Sequence, residues 1–190
     1  GLRFNKNKYL FDPSANAFTS GSVFTAYNKL HKQGFAKNVG GEIFDLSDFP
    51  KCVVIDDNFD WEGDRPLNYP LEKSVIYETH VKGFTASKTS GLDEQLAGTY
   101  KGFSQKIEYL KKLGITAVEF LPMFEFDENE NGNINPKTGE QLVNYWGYST
   151  IGFFAPKTSY SSDKTPGGAV REFKQLVKEL HKAGIEVILD

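Results

Sequence analysis

KKLGITAVEF at 111–120 and HKAGIEVILD at 181–190 are the two stretches from which the fold can be read. Both run Lys-x-Gly-Ile into a short apolar strand. Each is preceded by a helical face: Phe103, Ile107, Leu110 and Leu113 before the first, and Val170, Phe173, Leu176, Val177 and Leu180 before the second. Those spacings put the apolar side chains on one side of a helix. Gly114 and Gly184 stand where a helix C-terminus turns left-handed, a conformation glycine adopts without a Cβ penalty. The strands ITAVEFLP and IEVILD are nearly all apolar, the pattern of strands covered on both faces. Repeated helix-Gly-strand units predict an α/β fold with a parallel sheet sheathed by helices.

Working upstream, SVIYETHV (74–81) is a third apolar, β-branched and aromatic run, bounded by Lys73 and Gly83, and reads as another buried strand. Before it the pattern dissolves. From Gly1 to about Pro70, short aromatic and apolar runs (YLF at 9–11, EIFDL at 42–46, KCVVID at 51–56) are divided by Gly, Pro, Asn and Asp. We read residues 1–70 as a connector with short strands and 71–190 as the regular α/β portion. Cys52, the one cysteine, is expected to be a buried small hydrophobe beside Val53 and Val54. It cannot form an intrachain disulfide, which agrees with a reducing, cytoplasmic compartment.

Between Leu121 and Gly168 lie roughly 45 residues, where a strand-to-helix connection normally takes about 2 to 6. The excess is rich in rings, with Tyr145, Trp146, Tyr148, Phe153, Phe154 and Tyr160 close together, and acidic residues from Glu125 to Glu130 ahead of them. Pyranoses present flat C–H faces to aromatic rings and hydroxyls to carboxylates and amides, so this mixture suits a sugar. A loop folded over its own aromatic core suits it equally.

Composition narrows the partners. The chain has 190 residues, 39% hydrophobic and 25% charged, with a net charge of −3, which is a globular balance. Its 22 Lys and Arg are scattered, leaving no electrostatic footprint for nucleic acid or a membrane surface. A neutral ligand fits better.

Several separated phrases, in order, resemble the α-amylase superfamily (glycoside hydrolase family 13) and, within it, isoamylase-type glycogen debranching enzymes. They are LRFNKNKYLFDP (2–13), VIYETHVKGFT (75–85), GTYKGF (98–103), YLKKLGITAVEFLPMFEF (109–126), NYWGYSTIGFFAPKTSY (144–160) and EFKQLVKELHKAGIEVILD (172–190). The resemblance implies that the three strands are the first three β/α units of a (β/α)₈ TIM barrel. It also implies that 1–70 is the tail of an N-terminal glucan-binding β-sandwich and its connector. The implied activity is hydrolysis of α-1,6 branch linkages in glycogen or a related α-glucan by a retaining mechanism. A glucan transferase of the same superfamily and a non-catalytic glucan-binding fragment are the alternatives, and the KGFT and NYWGY phrases look like the debranching side.

In that family the nucleophile and general acid, about 5 to 5.5 Å apart, follow the fourth and fifth strands, and a third Asp follows the seventh. All three would lie beyond Asp190, so no catalytic residue is expected in this chain, which would depend on the remainder of its barrel. Glu78, Glu119 and Glu125 are not assigned to the catalytic pair, and Glu78 and Glu119, which lie within strands, are expected to have structural roles. Two residues carry over by match. Tyr148 corresponds to the tyrosine that stacks on the sugar at the cleavage site, and Asp190 to the Asp that opens the family's first signature region, a support residue at the carboxyl end of the third strand rather than the nucleophile. Asn144 and Trp146 are further substrate-binding candidates by proximity.

For metals the signals are thin. Asp127, Asn129 and Asn131 alternate before Gly132 as in a calcium loop, but Thr138 stands where the bidentate Glu belongs and Lys157 follows, so a solvated acidic loop without calcium is expected. Asp56, Asn58 and Asp60 alternate too, yet Trp61 replaces the needed Gly. His31, His80 and His181 are too dispersed for a metal set. His181, in a last helical turn, is expected at the surface, favoured by the helix dipole.

Overall fold

The computed structural model describes residues 11–26 and 49–190. His31, the run at 42–46 and most of the phrase at 2–13 lie outside them. Three strands form a parallel sheet: β1 (Ile76–Thr79), β2 (Ala117–Phe120) and β5 (Glu186–Leu189), in the spatial order β1-β2-β5. Ile76 lies beside Ala117 and Ala117 beside Glu186, and the register runs unbroken from there. These are the three strands expected from the sequence.

The first connection is helical but divided. After α1 (Val81–Thr85) come α2 (Tyr100–Ser104) and α3 (Ile107–Leu113), where the periodicity predicts one continuous face. The break falls at Lys106, whose φ of −103° and ψ of 5° leave the helical region and whose N–H donates to Phe103 O, three residues back. Phe103, Ile107 and Leu110 still point into one core, because the break turns the chain without changing the buried side. The second helix, α4 (Gly168–Lys182), is a single rod that buries Val170, Leu176 and Leu180, with Phe173 packed against the same core. Gly114 and Gly184 adopt φ of +76° and +79°, ending their helices as expected.

The segment between β2 and α4 holds a second sheet, which the sequence did not announce. β3 (Phe124–Phe126) pairs antiparallel with β4 (Thr150–Pro156) through two register shifts. Its floor is a buried ion pair. Lys157 Nζ donates to Glu125 Oε1 at 2.7 Å and to Phe126 O at 2.9 Å, and Glu125 Oε2 accepts from Thr158 N–H at 2.7 Å. Both side chains are under a tenth exposed. Glu125 is therefore structural.

Against this sheet lies the stretch before residue 70. Phe11, Ala15, Phe18 and Ala155 make a small second core, and Phe18 bridges Cys52 in a single antiparallel contact. Cys52 itself is exposed, against expectation. Residues 51–56 lie extended, so alternate side chains face opposite ways: Val53 and Ile55 turn inward while Cys52 and Val54 turn out. An apolar run covered on one face buries only every second residue. His181 also departs from expectation. Its Nδ1 lies 2.7 Å from Asp64 Oδ2, with both side chains 15% exposed, so α4's last turn is pinned to the connector.

Candidate functional site

The carboxyl ends of the three parallel strands converge on one side of the sheet, where ligands of such folds bind. β5 runs into Asp190, whose N–H still donates to Phe120 O at 3.1 Å and so holds the residue in register. Above it stands Tyr148, donating its phenol to Asp190 Oδ2 at 2.5 Å. The ring is 63% exposed. The hydrogen bond to Asp190 is the main reason that the phenol's pKa is pushed up to about 12, with the charges of Asp190, Glu78 and Glu119 adding to it. The phenol therefore remains a donor through the neutral range. Glu78 and Glu119 sit side by side in the β1–β2 register, near enough for their charges to reach Tyr148.

Tyr148 is carried by a tight turn at 144–148. Asn144 Oδ1 accepts from Gly147 N–H at 3.0 Å, and its Nδ2 donates to Glu130 Oε1 at 2.7 Å and Ser149 Oγ at 3.0 Å. Both polar atoms of the Asn144 side chain are thus engaged, the oxygen within the turn and the amide nitrogen by tying it to Glu130 and Ser149. Gly147 has φ of +82°, and a Cβ there would come within 2.6 Å of the Phe126 ring. The backbone must pass that close for Tyr148 to project toward β5.

The turn also rests on His80, which sits at the end of β1 and caps α1. His80 Nδ1 accepts from Gly83 N–H at 3.0 Å, which leaves the proton on Nε2. Nε2 lies 2.8 Å from Tyr145 O and 3.1 Å from Tyr160 Oη. The imidazole stacks on Tyr145 with centroids 4.2 Å apart and planes 10° from parallel, while Trp146 meets it edge-on. Burial lowers the His80 pKa below 6.5, the Tyr145 carbonyl opposes that shift, and the Lys82 charge reinforces it. Burial likewise raises the Tyr160 phenol far above its ordinary value.

Of the four candidates read from the sequence, Tyr148 and Asp190 are brought into direct contact, and Asn144 lies in the same turn as its organiser. Trp146 lines a cleft that also includes Glu78 and Leu121, rather than the Tyr148–Asp190 contact itself. It is 56% exposed, and the open cleft of about 750 Å³ beside β1 is shared with Tyr77, His80, Phe84, Tyr109 and Tyr145. Sequence reasoning considered His80 only as a metal ligand and missed its part in this site; a histidine at the strand-to-helix junction three residues before Gly83 was the available signal. Asp127 is turned to another use. Its carboxylate accepts from Ser22 Oγ at 2.8 and 3.0 Å, from Phe24 N–H at 2.7 Å and from Asn129 N–H at 3.0 Å.

Residues 75–190 match the family model described as the α-amylase catalytic domain, which is more than half of the chain. The chain belongs to the α-amylase family. Among curated α-amylase-family relatives, it is 49% identical over 144 residues to chloroplastic isoamylase 1 of Arabidopsis thaliana, covering 73% of this chain and 18% of that protein. It is 42% identical over 193 residues to a glycogen debranching enzyme of Serratia proteamaculans, covering 100% of this chain and 27% of the relative. Among solved structures it superposes on the catalytic module of SpuA, a multi-modular glycogen-degrading pneumococcal virulence factor, with a TM-score of 0.69 and 26% identity over 95% of this chain and 25% of that one. The chain thus spans about a quarter or less of the length of these relatives. Among the described residues, no helix is long and apolar enough to cross a membrane.

Proposed function

We propose that the protein containing this chain is a retaining glycoside hydrolase that cleaves α-1,6 branch linkages in glycogen or a related α-glucan, and that Tyr148 forms the floor of its cleavage site. The observation that carries this reading is the Tyr148–Asp190 pair at the carboxyl ends of the parallel strands. Asp190 fixes the phenol by its hydroxyl and leaves one face of the ring open. A pyranose can lay its C–H face there, and the π cloud can bear part of the oxocarbenium charge that develops at the anomeric carbon. Nothing in that role requires Tyr148 to move a proton. On this reading the nucleophile and acid come from later strands, and Glu78 and Glu119 shape the field beneath the site.

The same reading takes β1, β2 and β5 as the first three strands of a (β/α)₈ barrel, 71–190 as the beginning of that barrel, and 1–70 as the connector from a glucan-binding β-sandwich. It requires no metal and sets the enzyme in the cytoplasm, where its polymer substrate would be stored. The support is the Tyr148 geometry together with kinship to an isoamylase and a glycogen debranching enzyme. The test is product analysis of the full-length protein on branched and linear α-glucans. Release of linear chains from the branched polymer, with the linear one untouched, is expected; conversion of linear chains into longer or branched ones would replace hydrolysis by transfer.

A further inference from the structure

We propose that His80 is a positioning residue for Tyr148, holding the 144–148 turn through the Tyr145 carbonyl so that the phenol ring stands over Asp190. The inference rests on the sugar-stacking reading of Tyr148. Capping of α1 accounts for Nδ1, which takes the Gly83 N–H, but leaves Nε2 unexplained. Nε2 reaches across to a different part of the chain, 65 residues on, and meets the backbone three residues before Tyr148. The side chains there cannot anchor the turn by burial, because Tyr145 is 41% and Trp146 56% exposed. What holds them is the imidazole, stacked on one ring and edge-on to the other.

A second feature points to the same contact. A Cβ added at Gly83 would lie 2.3 Å from Tyr145 Oη, so the first turn of α1 leaves room for the hydroxyl end of Tyr145. The donor at His80 and the room at Gly83 serve one neighbour. From behind, buried Tyr160 places its hydroxyl on Nε2 as well, which stops the imidazole from turning away. The titratable groups facing the ring are Lys82 on its own helix, Tyr145 on the turn and Tyr160 behind it. Protonating Nδ1 would set two donors against each other at Gly83 N–H, so the tie works with a neutral imidazole.

Two substitutions in the full-length protein separate capping from positioning. His80→Asn keeps an acceptor near Nδ1 and loses the reach to Tyr145 O, whereas His80→Gln carries an amide N–H near the Nε2 position and loses the cap. We expect His80→Asn to keep its melting temperature while kcat/KM on branched α-glucan drops by about tenfold or more, and amide exchange at 147–148 accelerates by about as much. His80→Gln, which returns the N–H to the Tyr145 carbonyl but not the ring, should melt lower and recover part of the kcat/KM lost in His80→Asn. Gly83→Ala, which displaces Tyr145 without touching the imidazole, should reproduce the faster exchange and lower kcat/KM. Wild-type turnover and exchange in His80→Asn, or losses that follow only the folded fraction, would overturn the proposal. A wild-type protein inactive on every branched glucan would instead defeat the functional reading, and the exchange measurements would still decide whether His80 ties the turn.

Discussion

At Tyr148 two properties of one side chain can be separated, because the ring face and the hydroxyl do different things. Tyr148→Phe keeps the stacking face and loses only the bond to Asp190, while Tyr148→Ala loses both. In the full-length enzyme we expect Phe to lower kcat/KM by about three- to tenfold and Ala by about ten- to a thousandfold, with the melting temperature unchanged in each. Equal losses in the two would show that the hydroxyl, not the ring, carries the effect. His80 makes a pH prediction whose sign follows from its environment. Its pKa in the folded protein is lowered below 6.5 by burial first, so between that lowered value and 6.5 the unfolded chain binds more protons than the folded one. Stability therefore rises with pH through that window and gains nothing further from this group above it. Melting temperatures from pH 5 to pH 8 should show a steeper fall on the acid side for the wild type than for His80→Gln. Tyr148 and Asp190 could be singled out as candidates from their phrases in the sequence, and the structure brings the two into contact. His80 could not be ranked that way, since its role depends on a carbonyl 65 residues away that no local pattern reveals.

At the scale of elements, the helix-Gly-strand units were legible because their signals are local: one apolar face, a glycine stop and an apolar strand. The β3–β4 sheet was hidden because its pairing joins residues some 30 positions apart, with two register shifts that spoil any alternation. Exposed Phe153 and Phe154 sit next to each other on β4, which reads as a loop rather than as a half-buried strand. What holds this sheet is chemistry more than pattern. Lys157 and Glu125 are buried together, and removing one leaves the other charge without compensation. We expect Lys157→Met to cost about 3 to 5 kcal/mol. Adding Glu125→Gln should recover part of that, because the amide oxygen can still accept from Thr158 N–H and no orphan charge remains. Denaturant unfolding of the two variants measures the difference; a double variant less stable than the single one would mean that the charges are not coupled. The core of the parallel sheet gives the complementary test, since Leu176 is fully buried in α4 and Leu176→Ala should cost about 2 to 5 kcal/mol.

For the molecule as a whole, the decisive joint is Asp127, where the segment before residue 70 meets the inserted sheet. The alternation Asp127, Asn129, Asn131 has the look of a cation loop, but the carboxylate is surrounded by donors: one hydroxyl from Ser22 and backbone N–H groups from Phe24 and Asn129. Donors point their hydrogens at the oxygens and occupy the directions a calcium ion would need. Asn131 is likewise spent on its own turn, accepting from Asn133 N–H at 3.1 Å. The arrangement suits a staple between two distant stretches, with a charge strengthening each bond. Around it the same two stretches meet again, as Thr158 Oγ1 donates to Phe18 O at 3.2 Å and the Phe18 ring lies where a Cβ on Gly152 would be 2.4 Å away. Two measurements then have opposite expected outcomes. Stripping divalent cations with EDTA should leave the melting temperature of the full-length protein unchanged, because the carboxylate oxygens are already committed to hydrogen-bond donors. Asp127→Ala should lower stability by about 2 to 4 kcal/mol, because it strands buried donors from both stretches. A melting temperature that drops with EDTA and returns with calcium would reverse the assignment, making Asp127 a ligand whose hydrogen bonds to Ser22 and Phe24 give way to the metal.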